Sequence, residues 1–361
     1  MKIINMLPIL SYGDAVGNDA LAIHHCLLKA GYDSIIAASA VNEKITEKVF
    51  SPEELSGIND EDVIIYHLST GHPLNETFHR LPGKKIIRYH NITPSEYFYG
   101  YDQKLVGNAA MGYRDLFALR NTPDHILAVS NYNLTGMREM DYKADADIMP
   151  ILIPFSDYES KPDEDVIKEM SDGRTNILFV GRIVPNKRQE QVIRAFYHYR
   201  KVYDESARLI LAGNYGGMEP YYDSLVRYSD SLGLKDSVIY TGHVSFTGIL
   251  AYYRTASALL CMSDHEGFCV PLVEAMYFDV PIIAKDSSAI AETMDGAGIL
   301  LKDDDPAVAA AALDKVIKNA DLRNEIVESQ KERLKDFSNE KIEKQLLELI
   351  KKFKGGKNEQ D

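Results

Sequence analysis

Short apolar runs recur along the whole chain, each closed by a glycine, proline or polar loop, and stretches with apolar residues at helical spacing lie between them. Runs that are apolar on both faces are strands covered on both sides, as in a parallel sheet. Strands that alternate with helices build doubly wound α/β domains. The first half reads as strands Lys2 to Leu10, Ser34 to Ser39, Asp62 to Leu68, Lys85 to His90, Ile126 to Val129 and Ile148 to Pro154, with a helix from Ala20 to Ala30. The pattern then starts again with strands Asn176 to Val180, Arg208 to Ala212, Ser237 to Thr241, Ala258 to Met262 and Val280 to Ala284. Helices Gln189 to Tyr203, Tyr221 to Leu232, Gly248 to Thr255 and Leu272 to Phe278 lie between them.

A chain of 361 residues exceeds what one hydrophobic core serves, so the two runs are two domains. Ser156 to Asp172, rich in Asp, Glu and Pro, places the boundary near Phe155, giving domains 1–155 and 156–337. Helices follow at Pro306 to Asn319 and Ala320 to Phe337. A last helix, 338–353, carries Ile342, Leu346, Leu349, Ile350 and Phe353 on one face. That face suits either a helix packed on its own domain or one that crosses back to the first, and the crossing is the expectation taken. Residues 354–361 are short, polar and glycine-containing, and are expected to be disordered.

The formal charge of −14 disfavours a nucleic-acid partner, which calls for a basic surface. Cys26, Cys261 and Cys269 show no metal-ligand spacing and suit free thiols in a reducing, cytoplasmic compartment. No apolar run approaches the roughly 20 residues that span a bilayer. Met1 to Leu10 is too short for a secretory h-region, contains Pro8, and reads as a first core strand.

Chemistry concentrates at the ends of strands, where open α/β sheets bind their ligands. In Ser263-Asp-His-Glu-Gly-Phe-Cys-Val-Pro-Leu-Val-Glu-Ala-Met276, Glu266 and Glu274 frame a loop between a buried strand and a helix start, whose N–H groups favour phosphate. Gly267 frees the backbone, Phe268 walls the loop, and Pro271 sits where a missing N–H costs nothing. Gly181 and Arg182 end the first strand of the second domain and Lys187 stands just before its helix, two cations suited to a diphosphate. In the first domain, the loop Tyr12-Gly-Asp-Ala-Val-Gly-Asn18 lets Gly13 and Gly17 bring backbone close to a phosphate or an acceptor. His67 and Ser69 end one strand and His90 another. Tyr97, Phe98, Tyr99 and Tyr101 follow as rings able to stack on sugar faces or to pack as a lid. Asp145-Ala-Asp147 has the form of a diphosphate-bound metal site, but its polar surroundings read as a solvated turn.

Gly181-Arg182 with Lys187, Thr241-Gly-His-Val244, and Glu266 to Glu274 together resemble the donor site of the family 4 retaining glycosyltransferases, and in particular bacterial polysaccharide and O-antigen hexosyltransferases. The resemblance covers the second domain in order and the first more loosely. It implies the GT-B fold: two Rossmann-like doubly wound domains facing across a cleft, with the C-terminal helix crossing back to the first. It implies that Arg182 and Lys187 hold the donor diphosphate with Gly181 beside them, that Glu274 binds the ribose, and that Val244 meets the base through its backbone. Glu266 then lies against the hexose, Gly267, Phe268 and Cys269 offer N–H groups, Leu272 lines the same donor site, and His90 stands near the reacting sugar. Cys269 replaces a glycine usual in the family, and Ala291 replaces a proline before Glu292.

The expected reaction is metal-independent transfer of a hexose, with retention, from a UDP-hexose or GDP-mannose to a saccharide or polyprenyl-linked glycan in surface polysaccharide synthesis. No cofactor is expected beyond the nucleotide sugar itself, which is a substrate. His67, Tyr97 and Tyr99 are the expected acceptor-binding residues, Glu266, His90, Arg182 and Lys187 the catalytic ones. Peripheral contact with the inner face of the plasma membrane belongs to the same expectation. The alternatives are another GT-B reaction, such as a sugar phosphorylase or nucleotide-sugar epimerase, and a non-catalytic glycosyltransferase-like partner subunit.

Overall fold

The computed structural model describes residues 1–11 and 13–355. The chain divides into two compact units, one formed by Met1–Ser95, Lys104–Phe155 and the segment from Phe337 onward, the other by Glu96–Gln103 and Ser156–Asp336. The short segment Glu96–Gln103, expected in the first domain, thus packs with the second.

The first unit holds strands β1 (Lys2–Leu10), β2 (Asp33–Val41), β3 (Val49–Phe50), β4 (Val63–Leu68), β5 (Lys84–Tyr89), β6 (His125–Ala128) and β7 (Asp145–Ile148). They form one parallel sheet in the order β3-β2-β1-β4-β5-β6-β7. The second unit holds β8 (Asn176–Val180), β9 (Arg208–Ala212), β10 (Val238–Gly242), β11 (Ala258–Cys261), β12 (Ile282–Lys285) and β13 (Ile299–Leu301). Their order is β10-β9-β8-β11-β12-β13, again parallel throughout. Each sheet reverses its winding once, between β1 and β4 in the first and between β8 and β11 in the second. The crevice beyond the carboxyl ends of strands at such a reversal is the ligand position of open α/β sheets.

The helix Asn339–Gly355 crosses into the first unit, where Ile342, Leu346, Leu349 and Ile350 pack with Ile3, Ile23, Val63 and Leu127. All four are buried, each worth about 1.5–3 kcal/mol relative to exposure. The helix runs through 354–355, which the sequence assigned to a tail, because Lys352 and Lys354 complement its C-terminal dipole; the rest of that tail, 356–361, lies outside the described residues. The last strand of the first sheet is Asp145–Ile148 rather than Ile148 to Pro154. Asp145 and Asp147 are therefore edge-strand residues and not a turn, with Asp147 3.0 Å from His125 Nε2. Ile151, Leu152 and Ile153 are buried without pairing. No helix among the described residues is long and apolar enough to cross a membrane.

Candidate active site

At the reversal in the second sheet, the loops after β8 and β11 are joined by Asn186. Its Nδ2 donates to the His265 carbonyl at 3.0 Å, and its own carbonyl accepts from the Asp264 N–H at 2.9 Å. Pro185 starts a single 3-10 turn, Pro185–Lys187, that carries Lys187 forward. The Lys187 Nζ then lies 2.5 Å from Glu266 Oε2. Burial acts most strongly on this ammonium and lowers its pKa. The Glu266 charge and hydrogen bond, with the Cys269 and Cys261 sulfurs, together outweigh burial and leave it above the ordinary lysine value. Arg182 is exposed, held at its backbone by Gln189 Nε2 donating to its carbonyl at 2.9 Å. Gly181 lies against β9: a Cβ on Gly213 would stand 1.8 Å from the Gly181 carbonyl, so this close approach requires glycine.

Cys269 adopts φ 73°, left-handed backbone, immediately before the helix Val270–Tyr277. That conformation is why a glycine suits the position, and a thiol here carries strain of about 1–2 kcal/mol. Its Sγ lies 4.0 Å from the Cys261 Sγ, and both thiols are free and buried. Phe268 and Leu272 are buried and wall the helix start, while Gly267 is half-buried.

Glu274, four residues into that helix, sits in a different environment from Glu266. It accepts hydrogen bonds from Tyr253 Oη at 2.7 Å and Tyr158 Oη at 2.9 Å. Burial raises its carboxyl above the ordinary glutamate value against the pull of these two donors. Val244 is half-buried and leans over Gly248, where a Cβ would meet its Cγ1 at 2.6 Å.

In the first unit, Asp14 caps the helix Ala15–Lys29 by accepting from the Gly17 N–H at 2.6 Å. Gly17 is buried there, and a Cβ on it would meet the Ser11 carbonyl at 2.5 Å, so it serves the turn and does not face outward. Gly13 has φ 78° and open space where a Cβ would be. The same helix supplies Asp19, which is wholly buried and gripped by Arg88 through Nε at 2.8 Å and Nη2 at 3.2 Å. Arg88 also donates to the carbonyls of Met149 and Pro150, and Asp19 accepts from the Leu152 N–H at 2.8 Å. His90 Nε2 stands 3.1 Å from His67 Nδ1 and 3.5 Å from Asp19.

His67 was expected to touch an acceptor, but its side chain is fully enclosed, with His90 beside it at 3.1 Å. Its Nε2 lies 3.4 Å from Asn5 Oδ1, an acceptor. That pairing puts the His67 proton on Nε2 and leaves Nδ1 to accept from His90 Nε2–H. His90 Nδ1 is then a bare acceptor, buried and without a partner among the described residues. Burial pushes both imidazoles down, His67 to about 4 and His90 well below its ordinary value, so both are neutral at pH 7.

Among the described residues, two clusters bring three ligating atoms within 4.8 Å: Asp19, His67 and His90, and Cys261, Glu266 and Cys269. Neither donor set fits a metal, since Arg88 occupies both Asp19 oxygens and Lys187 occupies Glu266. Tyr97 and Tyr99 belong to the segment packed on the second unit, Tyr97 with its ring 6.2 Å from that of His265. Sequence reasoning missed Asp19, Asn5, Tyr158, Tyr253 and Asn186. Arg88 lay without a role inside the expected strand Lys85 to His90, where an arginine in an apolar run is a signal of a buried partner.

Residues 160–333 match the family model described as Glycosyl transferases group 1. The chain is 31% identical over 183 residues to the GalNAc-alpha-(1->4)-GalNAc-alpha-(1->3)-diNAcBac-PP-undecaprenol alpha-1,4-N-acetyl-D-galactosaminyltransferase of Campylobacter jejuni, covering 49% of this chain and 48% of that protein. It is 28% identical over 232 residues to the O-antigen chain mannosyltransferase RfbU of Salmonella typhimurium, covering 63% and 60%. The matches thus span about half to three-fifths of these relatives. Among solved structures, Anabaena Alr3699/HepE in complex with UDP-glucose superposes with a TM-score of 0.77 at 16% identity, over 98% of this chain and 100% of that one. Sucrose-phosphate synthase of Thermosynechococcus elongatus gives 0.76 at 15% identity, over 98% and 99%. The chain has the GT-B fold, resembles the family 4 bacterial hexosyltransferases, and over residues 160–333 is similar to the glycosyl transferases group 1 family.

Proposed function

We propose that the protein transfers a hexose, with retention and without a metal, from a nucleotide diphosphate sugar to a hydroxyl of a saccharide or lipid-linked glycan in surface polysaccharide synthesis. The observation that carries this reading is the Lys187–Glu266 pair at the sheet reversal, beside the start of the Val270–Tyr277 helix. Lys187, with Arg182 and the helix N–H groups, offsets negative charge as it grows on the leaving phosphate. Glu266 orients the hexose hydroxyls, Glu274 binds the ribose, and Val244 meets the base. In the first unit, His90 offers its bare Nδ1 to a substrate hydroxyl. The bond from the anomeric carbon to the phosphate oxygen breaks with its electron pair on that oxygen. The acceptor oxygen bonds to the same carbon, and its proton passes to the departing phosphate.

Glu266 and Glu274 are held by different partners, a lysine and two tyrosines, which suits two clamps on one donor better than the acid and nucleophile of a glycosidase. Supporting the nucleotide-sugar donor, the Anabaena protein was solved with UDP and glucose and with UDP-glucose. Supporting a glycan product, the printed names of the relatives specify an undecaprenol-linked glycan and an O-antigen chain.

Thermal unfolding with UDP and with GDP tests the donor site. A nucleotide at 100 times its dissociation constant stabilises by about 2.7 kcal/mol. One of the two is expected to do so in wild type and to do so far less in Lys187→Ala. No stabilisation by either overturns the reading. Transfer that persists in EDTA is expected, and its loss with recovery on adding Mn²⁺ or Mg²⁺ overturns the metal-independent part.

A further inference from the structure

A cavity of about 550 Å³ opens on the second unit, outside the Lys187–Glu266 pair. That volume falls within the roughly 300–1,000 Å³ of small-ligand sites. One wall is the packed segment, with Tyr97, Tyr99 and Tyr101. The other is built from Arg188, Gln191, Arg194 and Tyr228, with Tyr221 beneath. We propose that this cavity is a saccharide subsite that holds sugars of the acceptor chain beyond the one that reacts. The proposal rests on the hexosyl-transfer reading for the word acceptor, and on the cavity alone for the word saccharide.

The lining chemistry selects the ligand. Tyr99 is 59% exposed and Tyr101 37%, two large aromatic side chains partly in solvent on a segment of eight residues, Glu96–Gln103. Rings presented in this way stack on the apolar faces of pyranoses while the phenol oxygens hydrogen-bond their hydroxyls. Glu96 and Glu190 offset Arg188 and Arg194, so the wall has no net charge to attract a diphosphate or polyphosphate. Its planar carboxylate, guanidinium and amide groups instead suit paired sugar hydroxyls. Gln191 Oε1 is buried with no hydrogen-bond partner among the described residues, an acceptor that a ligand hydroxyl would satisfy. An apolar lipid tail would leave these groups desolvated and unpaired.

Position ties the cavity to the donor clamp. Arg188 follows Lys187 in sequence, and its Nε lies 3.3 Å from Asp264, two residues before Glu266. It also lies 3.1 Å from Glu190, which accepts from Tyr221 Oη at 2.6 Å. Tyr101 in turn packs edge-on against Tyr221 at 5.4 Å. The segment bearing the exposed tyrosines is thus held on the wall that carries Arg188, and Arg188 is held on the loop that carries Glu266.

Saturation-transfer NMR with two probes, an α-linked N-acetylgalactosamine trisaccharide and an α-linked mannose trisaccharide, tests the proposal on the whole chain. At least one is expected to receive saturation, undiminished by excess UDP and GDP and undiminished in Lys187→Ala. Tyr99→Ala and Arg194→Ala, both at exposed side chains, are expected to weaken it at least tenfold with an unchanged melting temperature. The same two variants are expected to raise KM for glycan acceptor while leaving the nucleotide-induced stabilisation intact. No saturation of either probe, saturation that nucleotide abolishes, or saturation that survives Tyr99→Ala combined with Arg194→Ala overturns the subsite. Nucleotide binding without trisaccharide binding defeats the subsite and spares the donor reading; trisaccharide binding without nucleotide binding does the reverse.

Discussion

Replacing Lys187 by methionine, which matches the lysine stem as far as Cε and removes the charged nitrogen, strands a carboxylate inside the protein. The Glu266 side chain is 7% exposed and loses the ammonium 2.5 Å away. Breaking a buried pair in this way costs about 3–5 kcal/mol. Because the Lys187 side chain is 22% exposed and partly screened by water, the lower end applies, about 3 kcal/mol. For a unit of this size each kcal/mol moves the melting temperature by about 2–4 °C, so Lys187→Met is expected to melt about 6–12 °C below wild type. Glu266→Gln in the same chain removes the stranded charge, and the double variant is expected to regain about 2 kcal/mol relative to the sum of the single losses. Urea unfolding of wild type, both single variants and the double variant closes the cycle. Additivity within about 0.5 kcal/mol refutes the pair as a structural unit. The Lys187 pKa is raised in the folded state, so its contribution is complete below the ordinary value of 10.5 and is lost as pH climbs through the raised value. The coupling is therefore expected to be constant from pH 6 to 9, and its disappearance within that range contradicts the assignment.

Glu274 has a raised pKa, so the folded state binds its proton more tightly than the unfolded state; wild-type stability from this group is greatest at low pH and falls as pH rises from 4.5 through the raised value. Glu274→Gln is expected to flatten that slope in pH-dependent unfolding and to match or exceed wild-type stability at pH 7, while weakening nucleotide affinity at least tenfold; unchanged affinity removes Glu274 from the donor site. His67 and His90 shift the other way: below pH 6.5 the unfolded chain takes up protons that the folded chain refuses, so stability falls with acidification. For His67 the loss reaches about 3 kcal/mol near pH 4, and His67→Gln is expected to lessen the acid sensitivity of unfolding between pH 6.5 and 4. Gly213→Ala drives a methyl group into the Gly181 carbonyl at 1.8 Å and displaces backbone on both sides. It is expected to lower stability by several kcal/mol and to abolish nucleotide binding, whereas Gly217→Ala, which meets no atom within 4 Å and carries only the backbone strain of its φ of 80°, about 1–2 kcal/mol, leaves nucleotide binding at the wild-type level.

The parallel sheets were legible because both faces of their strands are covered, which imprints continuous apolar runs; Asn176–Val180 and Arg208–Ala212 coincide with the expected bounds. Asp145–Ile148 was misread because an edge strand is covered on fewer sides and tolerates charge, leaving its burial pattern without a buried residue. The loop from Glu266 to Glu274 between a strand and a helix start was legible because its residues are near neighbours in sequence and its backbone demands are local, as at Cys269. The partners of Glu274 and Asp19 were not. Tyr158 lies 116 residues from Glu274, and Arg88 lies 69 from Asp19, so only the folded path of the chain brings them together. Glu96–Gln103 left no mark either, because its tyrosines satisfy a lid, a core cluster and a sugar-binding wall equally well at the level of composition.

The helix Asn339–Gly355 means that the first unit is not made from the first part of the chain. Ile342, Leu346, Leu349 and Ile350 complete a core begun by Ile3, yet they are synthesised after the whole of the second unit. At roughly 5–20 residues per second, the first sheet waits roughly 10–40 s between its last strand and the helix that covers it. During that interval Ile3, Ile23, Val63 and Leu127 lack their partners, and residues 1–155 made alone never acquire them. The second unit, contiguous apart from one short segment, has all its residues synthesised before the helix that completes the first unit's core.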